Sequence, residues 1–307
     1  MKQIIVSFMF VAGLVLSASA QKTIVNVPCN ADMTIKVWDN KKAPHSNEET
    51  KDETRNKRGD FSNTSQTVFY LYKADKQKAT GQGVVILPGG GYSKVCIERE
   101  GFKLAEYFKS LGVTALVVKY RLPNNGHKEV PLEDAQEALR YMRKNGKKWG
   151  VNPAKVGIAG SSAGGHLAAY TSTFTADAEK PAFTVLFYPV ISGETCMTHQ
   201  GTFQNLLGKY HAPYLREYYS LNNRVTPTTP PTILILSNDD STVPPISSVL
   251  YYEALKHYGV KASMHIYPCG GHGWVCREGF RYDKEWKAAL AKWLVELNNE
   301  NIPTNKK

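Results

Sequence analysis

Three short segments of this chain carry residue types suited to acyl transfer. Val156-Gly157-Ile158-Ala159-Gly160-Ser161-Ser162-Ala163-Gly164-Gly165-His166 contains G-x-S-x-G centred on Ser162. A serine hydroxyl is a weak nucleophile until a base stands beside it. The apolar run before Ser162 reads as a strand and the stretch after it as a helix. So sharp a reversal brings backbones together, which explains glycines at 160 and 164. Ser161 competes with Ser162 but is off-centre. The base is expected at His272, in Cys269-Gly270-Gly271-His272-Gly273-Trp274, a glycine-rich loop beyond the last strand. His265 lies inside a strand pattern, and His166 sits one helical turn past Ser162, where it reads as core support. His127 and His199 are further candidates for the cleft wall. The carboxylate that holds a histidine tautomer is expected in Ser237-Asn238-Asp239-Asp240-Ser241-Thr242-Val243-Pro244. Neighbours after a strand point apart, so only one of Asp239 and Asp240 should reach.

Acyl transfer also builds negative charge on the former carbonyl oxygen, which fixed backbone N–H groups stabilise. Pro88-Gly89-Gly90-Gly91-Tyr92 follows a buried-strand pattern and lets the backbone approach a substrate closely. Gly90 and Gly91, with the amide of Ala163, are the expected oxyanion donors. The loop lacks the Lys-Ser/Thr ending of a P-loop. Tyr92 and Trp274, beside the glycine loop and the histidine, are expected to contact substrate.

These segments need a scaffold, and the hydrophobic pattern supplies one. Strands are predicted at 68–71, 84–87, 113–119, 156–159, 183–188, 232–236 and 262–267. Leu104, Tyr107, Phe108 and Leu111 mark one helix face. Further helices are predicted from Pro131, near 166–173 and 247–258, and over 283–297. Strand and helix alternate, so the fold class is α/β, a mainly parallel sheet with helices on both faces. Residues 193–230 have no clear period and read as an insertion above the sheet, a partial lid. Residues 47–60 (NEETKDETRNKRGD) are dense in charge and read as an exposed loop or mobile arm.

The gross composition limits the alternatives. Residues 1–20 have the layout of a secretory signal: Lys2, the apolar run Ile4–Leu16, then Ala18-Ser19-Ala20. The run is too short for a membrane span, so export to the periplasm or the medium is expected, with one domain over 21–307 and no stable membrane insertion after cleavage. The net charge is +11, but its Lys and Arg are scattered, which favours a solvated basic surface over nucleic-acid binding. Five cysteines leave at least one unpaired within the chain, and Cys269 and Cys276 bracket His272 closely enough to raise the question of a bridge. No CxxC spacing occurs, so no metal and no cofactor is expected.

PGGGY at 88–92, KYRLP at 119–123, PLEDAQEALRYMR from Pro131 and GIAGSSAGGHLA together resemble small exported esterases of Bacteroidetes, described as acetyl xylan esterases and related carbohydrate deacetylases of the α/β-hydrolase fold. The resemblance spans roughly residues 68–297. It implies a triad in the order Ser162, Asp240, His272, since hydrolases of this type show D-x-x-V-P at the acid, which selects Asp240 over Asp239. It implies the glycine loop and Ala163 as oxyanion hole, with Pro88 where related esterases have His. It implies removal of acetyl, and in some members feruloyl, esters from plant polysaccharides, with an acylated carbohydrate as partner and no metal. The rival readings are a prolyl-oligopeptidase-like peptidase, whose large extra domain the leader is too short to supply; a glycoside hydrolase, which has no use for the elbow; and a binding protein that kept the fold.

Overall fold

The computed structural model describes residues 22–299. The expected signal segment therefore falls outside the described residues. Ten strands form among those described: β1 Met33–Asp39, β2 Thr54–Arg55, β3 Phe61–Ser62, β4 Gln66–Tyr72, β5 Gly83–Leu87, β6 Thr114–Lys119, β7 Val156–Ser161, β8 Thr184–Phe187, β9 Thr232–Ser237 and β10 Ala262–Tyr267. Seven α-helices accompany them: α1 Leu104–Ser110, α2 Glu129–Asn145, α3 Ala163–Phe174, α4 Gln200–Leu207, α5 Pro213–Tyr218, α6 Ile246–His257 and α7 Asp283–Asn299.

Eight strands make one sheet in the order β1-β4-β6-β5-β7-β8-β9-β10, and β2 pairs with β3 alone. From β6 through β10 the neighbours are parallel, whereas β1–β4 and β4–β6 are antiparallel. The apolar runs Val84–Leu87, Ala115–Val118 and Ile233–Leu236 are buried throughout, as strands covered on both faces require. Adjacent side chains on β4 show the two faces. Phe69 meets Tyr141 of α2, while Tyr70 meets Phe102, just ahead of α1. On the Tyr70 side, Tyr107 of α1 packs edge-on against Trp286 of α7 and donates its hydroxyl to the Lys287 carbonyl.

The strands and helices expected from the sequence are present, with shifts of a residue or a few at their ends. α2 begins two residues before Pro131, which still falls in the first turn, where proline removes no needed donor. The edge strand β1 went unforeseen. The larger correction concerns residues 47–60, which are tied down rather than loose. Asn47 is buried and donates to the carbonyls of Thr64 and Leu122. Glu53 is buried against Lys119, Arg55 pairs with Glu98, and Asp60 with Lys94. Three of the charges that read as solvation thus meet partners far along the chain, while Lys51, Lys57 and Arg58 stay exposed as expected. Residues 193–230 hold α4, α5 and a short turn, and Tyr219 packs on Tyr170 and Phe174 of α3.

Candidate active site

The carboxyl ends of four strands converge on one cleft, where an open parallel sheet places its ligands. β5 leads into the glycine loop, β7 into Ser162, β9 into Asp240 and β10 into the His272 loop. Ser162 joins β7 to α3 with φ 55° and ψ −121°, a backbone state that non-glycine residues rarely adopt. The tight turn explains its glycines: a Cβ at Gly160 would lie 2.1 Å from the Gly164 carbonyl oxygen, and one at Gly164 2.0 Å from that of Leu87.

His272 Nε2 lies 2.9 Å from Ser162 Oγ, and its Nδ1 lies 2.6 Å from Asp240 Oδ2. The carboxylate fixes the tautomer: Nδ1–H donates to Asp240, leaving the Nε2 lone pair for the serine proton. The other Asp240 oxygen accepts the N–H groups of Thr242 and Val243, each at 2.9 Å, so the acid cannot swing away. Its neighbour Asp239 points elsewhere and accepts the amides of Gly270 and Gly271. Those two bonds hold its carboxyl below the usual range.

In the glycine loop, every carbonyl from Gly89 to Gly91 accepts a hydrogen bond: Gly89 from Cys96, Gly90 from Ser93 and Lys94, and Gly91 from the Asn205 side chain. The Gly89 amide donates to Glu100. The amides of Gly90 and Gly91 have no acceptor among the described residues, and both glycines line the cleft beside Ser162. Ala163 is the first residue of α3, where an N–H has no intrahelical partner.

The cleft has a volume of about 440 Å³. Besides the loop glycines, Ser162 and His272, its wall includes Lys94, Arg99, Glu100, His199, Asn205 and Thr242. Lys94 is paired with Asp60. Burial pushes the His199 imidazole below its ordinary value, and the nearby His272 adds to this. Residues 193–230 thus supply part of the wall through His199 and Asn205.

Three expectations are corrected. Tyr92 and Trp274 do not face the cleft, being 1% and 0% exposed. Tyr92 turns inward from a positive-φ turn and bonds His166 through its hydroxyl, 3.1 Å from Nδ1. Trp274 stacks on Phe280 at 4.2 Å and meets Tyr188 edge-on. Each ring anchors its loop from below. The bridge considered for Cys269 and Cys276 is not formed; all five thiols are free. His166 lies in the core, and His127 faces Glu48 rather than the cleft. Glu100 and Asn205 were missed, since no motif marks either. Among the described residues no cluster of His, Cys, Asp and Glu is arranged to hold a metal ion.

A protein-family profile described as alpha/beta hydrolase fold matches residues 84–276, and the chain belongs to that family. It is 37% identical over 225 residues to an acetylxylan esterase of Xylanibacter ruminicola, a match covering 72% of this chain and 47% of that protein. It is 31% identical over 219 residues to endo-1,4-beta-xylanase B of Butyrivibrio fibrisolvens, covering 66% of this chain and 34% of that one. The chain thus spans about half the length of the first relative and a third of the second. Among solved structures, an acetyl ester-xyloside bifunctional hydrolase from Caldicellulosiruptor lactoaceticus superposes with a TM-score of 0.69 at 34% identity, covering 76% of this chain and 88% of that one.

Proposed function

We propose that this chain is a serine carboxylic-ester hydrolase that removes acetyl groups from plant polysaccharides or their oligosaccharides. The observation that carries the reading is the pair of hydrogen bonds on His272, one to Ser162 and one to Asp240. The acetylxylan esterase among its relatives supports the carbohydrate ester as substrate.

The reaction follows from these parts. His272 Nε2 takes the Ser162 proton as Oγ attacks the acetyl carbonyl. Asp240 stabilises the resulting imidazolium. The amides of Gly90, Gly91 and Ala163 receive the oxyanion. His272 then gives that proton to the sugar oxygen as the C–O bond breaks, so the sugar leaves as an alcohol and an acetyl ester remains on Ser162. Water, deprotonated by the same imidazole, cleaves that ester and releases acetate.

The cleft wall favours acetyl over feruloyl. Its described lining is glycine, hydroxyl, amide, thiol, imidazole and charged side chains, with no phenyl, indole or branched aliphatic side chain to wall a large apolar acyl group. Such a lining suits a hydroxyl-rich alcohol. The leader over residues 1–20 supports export to the periplasm or the medium. The test is acid release from acetylated and feruloylated xylo-oligosaccharides. Acetate is expected from the first; release of ferulate alone, or of neither acid, contradicts the reading.

A further inference from the structure

Glu100 is a buried carboxylate, 3% exposed, at the edge of the cleft. It sits on a wide π-type turn, Glu98–Lys103, that leads into α1. Turns of this kind interrupt helices mostly where a side chain must be aimed. One carboxylate oxygen accepts the Gly89 amide at 2.8 Å, and the other accepts the Tyr188 hydroxyl at 3.1 Å. The Tyr188 oxygen in turn accepts the Val275 amide at 3.2 Å. The Tyr188 ring lies edge-on to His272, with centroids 4.7 Å apart. A single side chain therefore ties the glycine loop, the strand end after β8 and the loop that carries His272.

None of the ion pairs among the described residues involves Glu100, and its two donors are neutral. A buried carboxylate held only by neutral donors is costly, and glutamine would fill the same volume without the charge. What glutamine cannot do is accept at both ends, because one of its two terminal atoms is a donor. The site requires two acceptors on one rigid group. The Gly89 backbone leaves no slack: a Cβ there would lie 2.9 Å from Ser162 Cβ and 2.6 Å from the Ser161 carbonyl oxygen. Holding the Gly89 amide therefore fixes where the free amides of Gly90 and Gly91 stand relative to Ser162.

We propose that Glu100 is a positioning residue that sets the oxyanion donors and His272 in mutual register. The inference rests on the ester-hydrolase reading. It implies that Glu100 acts on the transition state and not on substrate affinity.

The test is Glu100→Gln, assayed with p-nitrophenyl acetate and with a trifluoromethyl ketone that forms a tetrahedral adduct. The variant is expected to lose roughly 10²-fold in kcat, the scale of losing an oxyanion donor, with KM within about threefold. The inhibition constant of the ketone is expected to rise in parallel. Tyr188→Phe keeps the bond to Gly89 and cuts the link to Val275, so a smaller loss, roughly tenfold in kcat, is expected. A kcat within about threefold of wild type, a loss confined to KM, or a loss that vanishes once the folded fraction is measured overturns the inference. If Glu100→Gln does not fold, Tyr188→Phe decides, and an unchanged kcat overturns it. A wild-type protein without esterase activity instead overturns the ester-hydrolase reading, and this inference with it.

Discussion

Lys119 Nζ lies 2.5 Å from Glu53 Oε1, and both side chains are fully buried. Lys119 also donates to the Ile24 carbonyl, and Glu53 accepts the Ile24 amide, so the pair staples the N-terminal segment to β6. Desolvation pushes the Glu53 carboxyl up and the Lys119 ammonium down, and in both cases it outweighs the partner's attraction. The pair thus holds the segment in place without adding much net stability. Removing one partner is expected to be costly because a charge is then left without its mate. Lys119→Met should destabilise by about 3 kcal/mol, and adding Glu53→Gln should recover at least half of that. Urea unfolding of the two single variants and the double variant checks this; additive losses would contradict it.

The two adjacent aspartates should separate cleanly. Asp240→Asn replaces the acceptor on His272 Nδ1 and favours the wrong tautomer, so kcat should fall by about 10³–10⁴-fold. Asp239→Asn loosens only the Gly270–Gly271 turn and should stay within about tenfold. Steady-state rates on p-nitrophenyl acetate check both. Equal losses would mean that Asp240 has no privileged role.

His166 should make folding pH-dependent. Its Nε2–H donates to the Tyr219 carbonyl, which leaves Nδ1 to accept the Tyr92 hydroxyl, and burial holds its pKa down to about 4. Between the folded value and the unfolded value near 6.5, the unfolded chain binds the extra proton. Stability from this residue is therefore full above about pH 6.5 and is lost as pH falls toward 4, by up to about 3 kcal/mol. The loss between pH 7.5 and pH 4.5 in wild type should shrink in His166→Gln, as read from urea midpoints. An identical loss in both proteins contradicts this.

The thiols should react in order of exposure. Cys196 is exposed, whereas burial pushes Cys96 and Cys276 up to about 12. A thiol reagent at pH 8 should modify Cys196 first, and the partly buried Cys96 and Cys276 much more slowly. Peptide mapping of the modified sites checks the order.

The sequence announces most of this site because its parts are local. Ser162, the glycine loop, Asp240 and His272 each follow their own strand, and the glycines beside them have steric reasons visible at close range. The features that stay hidden depend on distant partners. Residues 47–60 look solvated until Lys94 and Lys119 come back to meet them. Tyr92 and Trp274 flank the right loops, yet whether a ring points into a cleft or into the core is set by the packing beneath it. Glu100 carries no motif, and its role emerges only when β5, β8 and the loop after β10 are brought together.

The most direct test of the account is p-nitrophenyl acetate turnover by Ser162→Ala, alongside a melting curve. The account predicts a fall of at least about 10⁴-fold with the fold intact, because the residual rate comes from the cleft without its nucleophile. Turnover near the wild-type rate would contradict the central claim that the Ser162 hydroxyl, relayed through His272 to Asp240, is the group that attacks the ester.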